Sequence, residues 1–379
     1  MTALRRPTST AITNVRVFRD GLMSEPTTVV VENGLIAERT IANADDERVD
    51  ASGEYLLPGF IDTHAHVSAE SHLRDCARWG VTTVLDMAAR HFDATMALKK
   101  LDGATSLFTA GRPASGPDSM FVTKMGFDPS TALARPEEAA RFIADRVSDG
   151  SDFIKIMVED PHVPGAKPLA PEVIAAVVVE AHKAGLLTIA HVVSADTLRT
   201  AVRAGLDIVT HAALTSELGA EFEQELAERG TVIIPTLAMM QGVVKNIGGK
   251  PMFRVLSIVV KDLRMRYSFA EATVRSFVRA GNVVLVGTDS NDETGTPAQP
   301  PHGESLHDEL ERLVAAGLSP ADALHGAGEF AARVFRLADR GAVRPGLRAD
   351  LVLVGGDPTT TISATRDIRA VWIAGERTT

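Results

Sequence analysis

The stretch Pro58–Val67, which reads PGFIDTHAHV, decides how the rest of the sequence is interpreted. An apolar pair runs into Asp62, and His64 and His66 follow two positions apart. Alternate side chains of a strand point to the same face, so both imidazoles can reach one point beyond the end of a short buried strand. Imidazole is the commonest metal ligand, and its neutral form suits zinc, nickel and similar ions. The stretch therefore predicts the beginning of a metal site.

Strand and helix patterns alternate from residue 59 to about residue 340, which predicts parallel βα units. The apolar strand candidates are Gly59–Asp62, Thr82–Asp86, Ser106–Ala110, Phe153–Val158, Leu187–His191, Asp207–His211, Thr231–Pro235 and Val283–Asp289. The clearest helical patterns between them are Pro171–Ala184, Ser194–Ala204, Ser216–Arg229 and Glu304–Ala316. Eight such units in about 280 residues fit a (β/α)8 TIM-like barrel, a fold that typically takes about 250 residues.

Several strand candidates end in a residue that can bind a metal ion. A single strand-end histidine is more often structural, but the carboxyl ends of barrel strands meet on one face, where the active site lies. Histidines at three strand ends and an aspartate at a fourth therefore predict one metal site. These residues are His64 and His66 after the first candidate, His191 after the fifth, His211 after the sixth and Asp289 after the eighth.

The motif PGFIDTHAHV resembles the first-strand motif of the amidohydrolase superfamily of metal-dependent hydrolases. The resemblance extends over nearly the whole chain and includes the closing segment Gly341–Pro358, GAVRPGLRADLVLVGGDP. Within the superfamily, the chain is most similar to the imidazolonepropionase-like and prolidase-like amidohydrolases. This resemblance implies a barrel with a metal site and a second, smaller domain.

Both ends of the chain show strand patterns rather than long helices. Val29, Val30 and Val31 favour extended structure, and the pair Asn33-Gly34 predicts a tight hairpin. The C-terminal runs ADLVLVGG and IRAVWIAGE repeat this pattern. The two strand-rich ends suggest one small β-sandwich, and the resemblance implies their pairing. We predict an α/β fold in which residues 59–340 form the barrel and residues 1–58 plus 341–379 form the sandwich.

Lys155 lies between apolar residues in the fourth strand candidate, DFIKIMV. Burial would disfavour the ammonium, lower its pKa and populate the neutral amine, which can add carbon dioxide to become a carbamate. The resemblance implies that a lysine at the end of strand four, once carboxylated, is an anionic ligand that bridges two metal ions. The alternative is a lysine paired with a carboxylate such as Glu159 or Asp160.

The resemblance implies two divalent metal ions, with zinc as the first expectation and manganese, iron or nickel as alternatives. Two ions about 3.5–4 Å apart can share a hydroxide and polarise a scissile carbonyl. Asp289 would be the general base, and Asp62 would orient a ligand histidine unless it is a plain strand-end polar residue. The expected ligands are His64, His66 and Asp289 for the more buried ion, His191 and His211 for the second, and carboxylated Lys155 between them.

Three further residues follow strand candidates on the expected catalytic face and are candidate substrate contacts. Arg112 follows the third candidate and would suit an acidic substrate, His162 follows the fourth, and His302 lies in the loop after the eighth. The segment Gly111–Ala134, which follows the third strand candidate, is rich in Gly, Pro, Ser and Asp. We expect it to form an irregular loop over the site. The segment Gln241–Arg279 predicts an amphipathic outer helix or, alternatively, a helix whose start forms a lid.

The resemblance implies a hydrolase, and we expect hydrolysis of an amide C–N bond in a small molecule or dipeptide-like substrate, although the residues themselves do not distinguish an amide from a lactone. Hydrolysis of a lactone, a cyclic imide or an imidazolone on the same site is the alternative. A deaminase is disfavoured because the run after His191, VVSADTL, lacks the Glu that deaminases of this type usually carry. A non-catalytic binding protein is disfavoured because all six expected ligand positions are filled.

Composition restricts the partners to small molecules. The net charge of −10 and the aromatic content of 5% argue against nucleic acid and anionic membrane surfaces. No apolar run approaches the roughly 18 residues of a membrane span, and the start MTALRRPTST lacks the apolar region of a signal peptide. The single cysteine, Cys76, is expected to be a packing residue. We therefore expect a cytoplasmic protein. The family resemblance also allows assembly into a homo-oligomer.

Overall fold

Parallel strands in the middle of the chain and a mixed sheet built from both of its ends make up the β-structure. The computed structural model describes residues 9–163, 166–248 and 264–378 of the 379-residue chain. Its strands are β1 Ser9–Arg19, β2 Leu22–Met23, β3 Thr27–Glu32, β4 Leu35–Ile36, β5 Glu47–Asp50, β6 Tyr55–Pro58, β7 Phe60–Ala65, β8 Val81–Asp86, β9 Ser106–Thr109, β10 Ile154–Met157, β11 Thr188–His191, β12 Ile208–Thr210, β13 Val232–Ile234, β14 Leu351–Val354, β15 Ile368–Ile373 and β16 Glu376–Arg377.

Helices follow most of the parallel strands. They are α1 Glu70–Arg78, α2 Phe92–Leu98, α3 Met120–Thr123, α4 Ala139–Asp149, α5 Pro171–Lys183, α6 Ala195–Arg203, α7 Ala220–Arg229, α8 Leu237–Val243, α9 Tyr267–Arg279, α10 Glu304–Ala316, α11 Pro320–Gly326 and α12 Glu329–Val334. A π-helix, Val244–Gly248, continues α8, and short 3₁₀ turns occur at Pro129–Thr131, Pro136–Glu138 and Ile362–Arg366. Among these residues, no helix is long and apolar enough to cross a membrane.

The two ends of the chain pair with each other in one nine-stranded sheet. Its order is β16-β15-β14-β6-β1-β3-β4, and β2 and β5 also pair with β1. The antiparallel pair β6–β14 places Leu351 opposite Pro58, next to the start of the parallel strands. Val17, Leu56, Leu353 and Trp372 lie in its buried apolar cluster. The pairing of the ends is thus observed, whereas the sandwich and the domain boundaries at residues 59 and 340 stay predictions.

The turn between β3 and β4 confirms the predicted hairpin. Glu32 pairs with Leu35, which leaves Asn33 and Gly34 as a two-residue loop. Their φ angles of 51° and 80° lie in the left-handed region that such a loop requires. Asn and Gly are the residues that adopt this conformation at the lowest cost.

Seven of the eight predicted parallel strands are confirmed within a few residues of their predicted bounds. Strands β7–β9 form one parallel sheet and β10–β13 another, each in sequence order. Every residue of β7, β8 and β10 is buried. Burial on both faces is typical of parallel strands that are covered by helices, and here it also removes polar residues such as Asp62 and Lys155 from water. Together with the intervening helices, they establish an α/β fold.

The eighth predicted strand, Val283–Asp289, is not a regular strand in the structure. It contacts its neighbours through isolated parallel bridges, Val284 with Ile233 and Ser290 with Ala65. The N–H groups of Thr288 and Asp289 both donate to the carbonyl of His64, at 3.1 and 2.7 Å, so they do not continue a regular ladder. At Asp289 the backbone turns, with a φ angle of 57°.

The predicted helices α5, α6 and α10 are confirmed, and one predicted start is wrong. Helix α7 begins at Ala220 rather than at Ser216, because Gly219 takes a φ angle of 81° and ends the preceding loop. The prediction for Gln241–Arg279 is only partly tested: α9 forms the last third of the segment, while residues 249–263 lie outside the described residues. The question of an outer helix or a lid in that part therefore stays open.

Gly287 provides a test of the close approach between the eighth segment and β7. A Cβ atom added there would lie 2.8 Å from the Cβ of His64 and 2.4 Å from the Cγ2 of Ile234. We expect Gly287→Ala to lower the free energy of unfolding in urea by about 1–3 kcal/mol through overpacking, and to lower metal content. In Gly53→Ala the new methyl group meets nothing within 4 Å, so only the left-handed φ angle should matter. Normal metal binding by Gly287→Ala would contradict the predicted crowding.

Candidate metal centre

The six side chains predicted as ligands converge at the carboxyl ends of the parallel strands. They come from β7, β10, β11, the residue after β12 and the end of the eighth segment, which all reach the same edge. They line one cavity of about 400 Å³. Its walls therefore include His64, His66, Lys155, His191, His211 and Asp289.

Asp289 is the common partner of three histidines. Its Oδ1 lies 3.0 Å from Nε2 of His66 and 3.4 Å from Nε2 of His64, and its Oδ2 lies 3.8 Å from Nδ1 of His211. Burial alone would raise the pKa of Asp289, but its interactions with His64 and His66 hold the pKa well below its usual range. The ligand atoms of His64, His211 and Asp289 lie within 4.8 Å of one another, close enough to hold one metal ion.

The histidines are held in the form that binds metals. Burial lowers the pKa of His64 and of His191 to about 3 and that of His211 well below its ordinary value. Neutral imidazole is the ligand form of histidine. His66 differs: burial opposes its charge, yet the hydrogen bond to Asp289 raises its pKa. Three of the four rings are thus neutral near pH 7.

Two ring nitrogens show that a metal ion fits this site. Nδ1 of His64 is buried and has no hydrogen-bond partner, and leaving such an atom unsatisfied costs about 1–3 kcal/mol. Nδ1 of His66 lies 3.2 Å from the carbonyl of Ala88, which can only accept, so this nitrogen carries a proton, while Nε2 faces Oδ1 of Asp289 at 3.0 Å. A metal ion would give the orphaned nitrogen of His64 a partner and would take the place of the proton that Nε2 of His66 donates to Asp289.

The second pair of histidines is in direct contact. Nε2 of His211 lies 3.1 Å from Nδ1 of His191, and Nδ1 of His211 lies 2.6 Å from Oγ1 of Thr236. Thr236 follows β13 and has a φ angle of 49°, which directs its side chain to the site. The sequence analysis did not predict this residue. Thr236 directly follows the seventh strand candidate, so a search for every polar residue after a strand candidate would have included it.

Lys155 is buried with 2% of its surface exposed, and its Nζ donates to Oγ1 of Thr210 at 2.6 Å. Burial lowers its pKa to about 7, although the carboxylates Asp289 and Asp86 act in the opposite direction. A substantial fraction of the amine is therefore neutral near pH 7 and able to react with carbon dioxide. Thr210, like Thr236, was missed by the sequence analysis.

The carboxylates considered as partners of Lys155 have other partners. Oε1 of Glu159 accepts from the N–H of Met120 at 2.9 Å, and Oδ1 of Asp160 accepts from the N–H and the ring of His162. Both are nonetheless buried, with 7% and 4% of their surface exposed, and both line the cavity. They are part of the cavity wall near Lys155.

Asp62 acts on the backbone rather than on an imidazole. Its Oδ1 accepts from the N–H groups of His64 and Thr288, each at 3.1 Å, and its Oδ2 accepts from Oγ1 of Thr288 at 2.7 Å. Burial raises the pKa of Asp62 to about 7 although these bonds oppose the shift. Asp62 thus ties β7 to the segment that carries Asp289.

Arg112, predicted as a substrate contact, is placed away from the cavity. Its Nη1 lies 3.0 Å from Asp149 and its Nε 3.3 Å from Asp128, and its guanidinium stacks 3.7 Å from the ring centre of Phe92. Two carboxylates and an aromatic face therefore hold it. It is not among the described residues that line the cavity.

The two predicted histidine contacts also lie outside the described lining. His302 donates through Nε2 to the carbonyl of His66 at 2.9 Å and stacks on His72, with ring centres 4.0 Å apart. It therefore fixes the backbone at His66, one of the predicted metal ligands. His162 bonds to Asp160, which does line the cavity. The roles of Arg112, His162 and His302 in substrate binding stay predictions.

Most of the cavity wall was not identified from the sequence. The segment Gly111–Ala134 covers the site as predicted, through Met120, Phe121, Met125 and Phe127. Helix α8 and the π-helix contribute Met239, Met240, Val243 and Ile247, and the loop after the eighth segment contributes Asn291, Thr296 and Pro297. Apolar residues in irregular loops carry no chemical signature, so sequence patterns could not assign them to the site.

Arg90 joins two of these wall loops. Its Nε donates to the carbonyl of Met125 at 2.5 Å, and its Nη1 forms an ion pair with Glu293. Glu293 follows Asn291, whose amide group bonds to the carbonyl of Asp289 at 2.8 Å. Arg90 therefore connects the loop that carries Met125 to the loop that begins at the metal site.

Glu309, on α10, holds the start of α8. Its Oε1 accepts from the N–H of Leu237 at 2.7 Å and its Oε2 from the N–H of Ala238 at 2.8 Å. The carboxylate is fully buried, and burial raises its pKa to about 8 although the two backbone bonds oppose the shift. Because Thr236 immediately precedes α8, Glu309 also positions the residue that contacts His211.

A profile of the amidohydrolase family matches residues 55–378. Enamidase from Eubacterium barkeri is 28% identical over 204 residues, which cover 46% of this chain and 48% of enamidase. An uncharacterized protein from Mycobacterium tuberculosis (strain ATCC 25618 / H37Rv) is 27% identical over 376 residues, 93% of this chain and 92% of that protein. Another from the same strain is 38% identical over only 84 residues, 18% of this chain and 14% of that protein.

Two solved structures show the same fold. A Xaa-Pro dipeptidase with bound methionine in its active site superimposes with a TM-score of 0.81 at 21% identity, covering 97% of this chain and 99% of that one. Molinate hydrolase superimposes with a TM-score of 0.79 at 21% identity, covering 99% and 95%. At this level of identity the comparison concerns the fold alone.

The buried contact between Glu309 and the start of α8 can be tested through the pH dependence of stability. A carboxyl whose pKa is raised on folding stabilises the folded state below its ordinary pKa of 4.5, and this stabilisation is lost as the pH rises through about 8. We expect the free energy of unfolding of the wild type, relative to Glu309→Gln, to fall between pH 5 and 8 by up to about 1.4 kcal/mol per pH unit. Urea unfolding across this range measures it.

The exposed Glu304 of the same helix provides the matched control, and Glu304→Gln should follow the wild-type curve. Parallel pH curves for the wild type and Glu309→Gln would contradict the assignment of a raised pKa to Glu309.

Proposed function

The chain belongs to the amidohydrolase family, and we propose that it is a binuclear metal-dependent hydrolase that cleaves an amide C–N bond of a small molecule. The observation that carries the proposal is the convergence of six ligand-type side chains on one cavity, three of them imidazoles kept neutral by burial. Such a set has no role in ordinary packing, because buried polar groups are costly unless they are paired.

We also propose that the parallel strands close into a (β/α)8 barrel and that the terminal strands form a β-sandwich beside it. Isolated β-bridges support closure of the barrel. They occur where the first parallel sheet meets the second and where the eighth segment meets each of the two sheets. They join Ala114 to Ile156, Ile233 to Val284 and Ala65 to Ser290. In a closed barrel the active site lies at the carboxyl ends of the strands, where the six side chains meet.

In this proposal two divalent ions, zinc in the first instance, occupy the site. When bound, they would lower the pKa of a coordinated water and polarise the scissile carbonyl. Neutral imidazoles, a carboxylate and a carbamate form a donor set that suits zinc. The ligands would be His64, His66 and Asp289 for one ion, His191 and His211 for the other, and carboxylated Lys155 between them.

Asp289 is the proposed general base. Its low pKa keeps the carboxylate ionised at neutral pH, so it can accept a proton from the attacking water. The water oxygen bonds to the carbonyl carbon, the C–N bond breaks, and Asp289 returns the proton to the leaving nitrogen. Asp62 and the backbone bonds at Thr288 hold Asp289 in place during this transfer.

Hydrolysis of a lactone, a cyclic imide or an imidazolone is the alternative, because the same groups would serve any carbonyl attacked by water. A cytoplasmic location and assembly into a homo-oligomer remain proposals from the sequence.

Lys155→Ala tests the bridging ligand. Native mass measurement of the wild type should show a labile carbon dioxide adduct and two metal ions, because a neutral buried amine can form a carbamate. The variant should lose the adduct and one metal ion. In Lys183→Ala, where an exposed lysine at the end of α5 is removed, both should remain. Unchanged metal content in Lys155→Ala would exclude the bridge.

A hydrolysis panel tests the reaction. The zinc-loaded protein would be assayed with N-acyl amino acids, dipeptides, aryl amides, lactones and cyclic imides. We expect amide cleavage, which Asp289→Asn should reduce by at least about 100-fold because general base catalysis contributes about 10²–10⁴-fold. Turnover confined to lactones or cyclic imides would replace the proposed reaction by its alternative, and full activity of Asp289→Asn would reject the general base.

A further inference from the structure

We propose that the cavity selects amides whose nitrogen carries an apolar substituent without a carboxylate group. The inference rests on the proposed function, since it concerns the substrate of the same site. It argues against the dipeptide-like substrates that the sequence analysis had included. Every dipeptide carries a carboxylate on the amine side of its scissile bond. Two independent features of the wall support it, its acidic residues and its apolar surface.

The acidic feature is the pair Glu159 and Asp160, which follows β10 directly. Both side chains line the cavity and are buried, with 7% and 4% of their surface exposed. Their hydrogen bonds run to the N–H of Met120 and to the N–H and ring of His162, and not to a lysine or arginine of the described residues. Negative charge in a wall of low polarity acts strongly on a bound ligand and disfavours a second carboxylate nearby.

The second feature is the apolar surface beside the metal site. Phe121 packs edge-on against the ring of His191, with ring centres 5.1 Å apart, and contacts Phe127 at 6.0 Å. A ligand whose scissile bond lies at the histidines therefore meets an aromatic surface immediately. Six methionines of the described residues also line the cavity: Met120, Met125, Met157, Met239, Met240 and Met265.

Methionine side chains adapt to the shape of their neighbours, and their thioethers make favourable contacts with aromatic rings. A wall of methionine and phenylalanine therefore accommodates bulky alkyl or aryl groups of varied shape. Thioether and phenyl groups provide no hydrogen-bond donor for a carboxylate, and the side-chain donors of Asn291 and Thr296 in the same wall already bond to backbone carbonyls. A carboxylate there would lose its hydration without compensation.

A carboxylate would need a cation, and the described lining residues contain no arginine and no lysine apart from Lys155. Lys155 is directed to Thr210 beneath the histidines. Arg112, the cation expected from the sequence to meet an acidic substrate, forms ion pairs with Asp128 and Asp149. Beyond the ligand residues and the metal ions that they are proposed to hold, the charged residues of the described wall are therefore Glu159 and Asp160, which oppose an anionic amine-side group and accept a neutral or cationic one.

The test uses two amides that differ by one carboxylate, N-phenylacetyl-phenethylamine and N-phenylacetyl-phenylalanine. We expect kcat/KM of the zinc-loaded enzyme to be at least about ten-fold higher for the phenethylamine derivative, because only the phenylalanine derivative brings a carboxylate to the acidic wall. Equal values, or a preference for the phenylalanine derivative, would overturn the inference.

Conservative variants show whether the acidic pair causes the preference. Glu159→Gln and Asp160→Asn keep an oxygen that can accept the observed hydrogen bonds but remove one charge each. Each should narrow the ratio between the two amides at least about three-fold. Glu172→Gln, at an exposed carboxylate in the first turn of α5, removes the same charge at a residue that is not among the described lining of the cavity and should leave the ratio unchanged. An unchanged ratio in both cavity variants would reject the role of the pair.

Equilibrium binding separates failure of this inference from failure of the proposed function. Calorimetry with the zinc-loaded protein measures affinity for both amides even if neither is cleaved. Tighter binding of the phenethylamine derivative without turnover would uphold the selectivity of the cavity and contradict amide hydrolysis. Equal binding, or no binding of either compound, would overturn the inference whatever reaction the site performs.

Discussion

A carboxylate that is removed from water keeps its charge only if partners are built around it, and Asp289 is the carboxylate on which this structure depends. Its oxygens meet the rings of His64 and His66, and the backbone beside it is fixed by Asp62 and Thr288. The strands that supply these partners must therefore end at the same level. The parallel arrangement, the irregular eighth segment and the left-handed turn at Asp289 together bring the carboxylate and its partners to that level.

The site has a chemically distinct centre and a chemically plain wall, and the two differ in how well the sequence predicts them. Histidines at several strand ends are improbable in ordinary packing, so His64 and His191 could be predicted as members of one site from their positions, and the family resemblance added Lys155. Met239 and Phe121 could not, because an apolar side chain in a loop has the same appearance as a core residue.

The charged residues show a second limit of sequence reasoning, which concerns partners distant in the chain. Arg112 follows a strand and was a reasonable substrate contact, but Asp149 and Asp128 engage it in the structure. Nothing in the local sequence indicates those partners. No sequence motif singled out Arg90, yet it connects the loop that carries Met125 to Glu293. For the fold, the same limit applies to the eighth predicted strand, whose apolar run did not reveal that the N–H groups of Thr288 and Asp289 both donate to the carbonyl of His64.

The bond between Asp62 and Thr288 joins residues 226 positions apart, and β6 pairs with β14 near the other end of the chain. Contacts of such sequence separation form slowly, because a long loop must close before they contribute. During synthesis from the N-terminus, His64 and His66 emerge long before Asp289. The centre can therefore be completed only when most of the chain has been made, and a protein truncated before Asp289 would carry the first two histidines without their carboxylate.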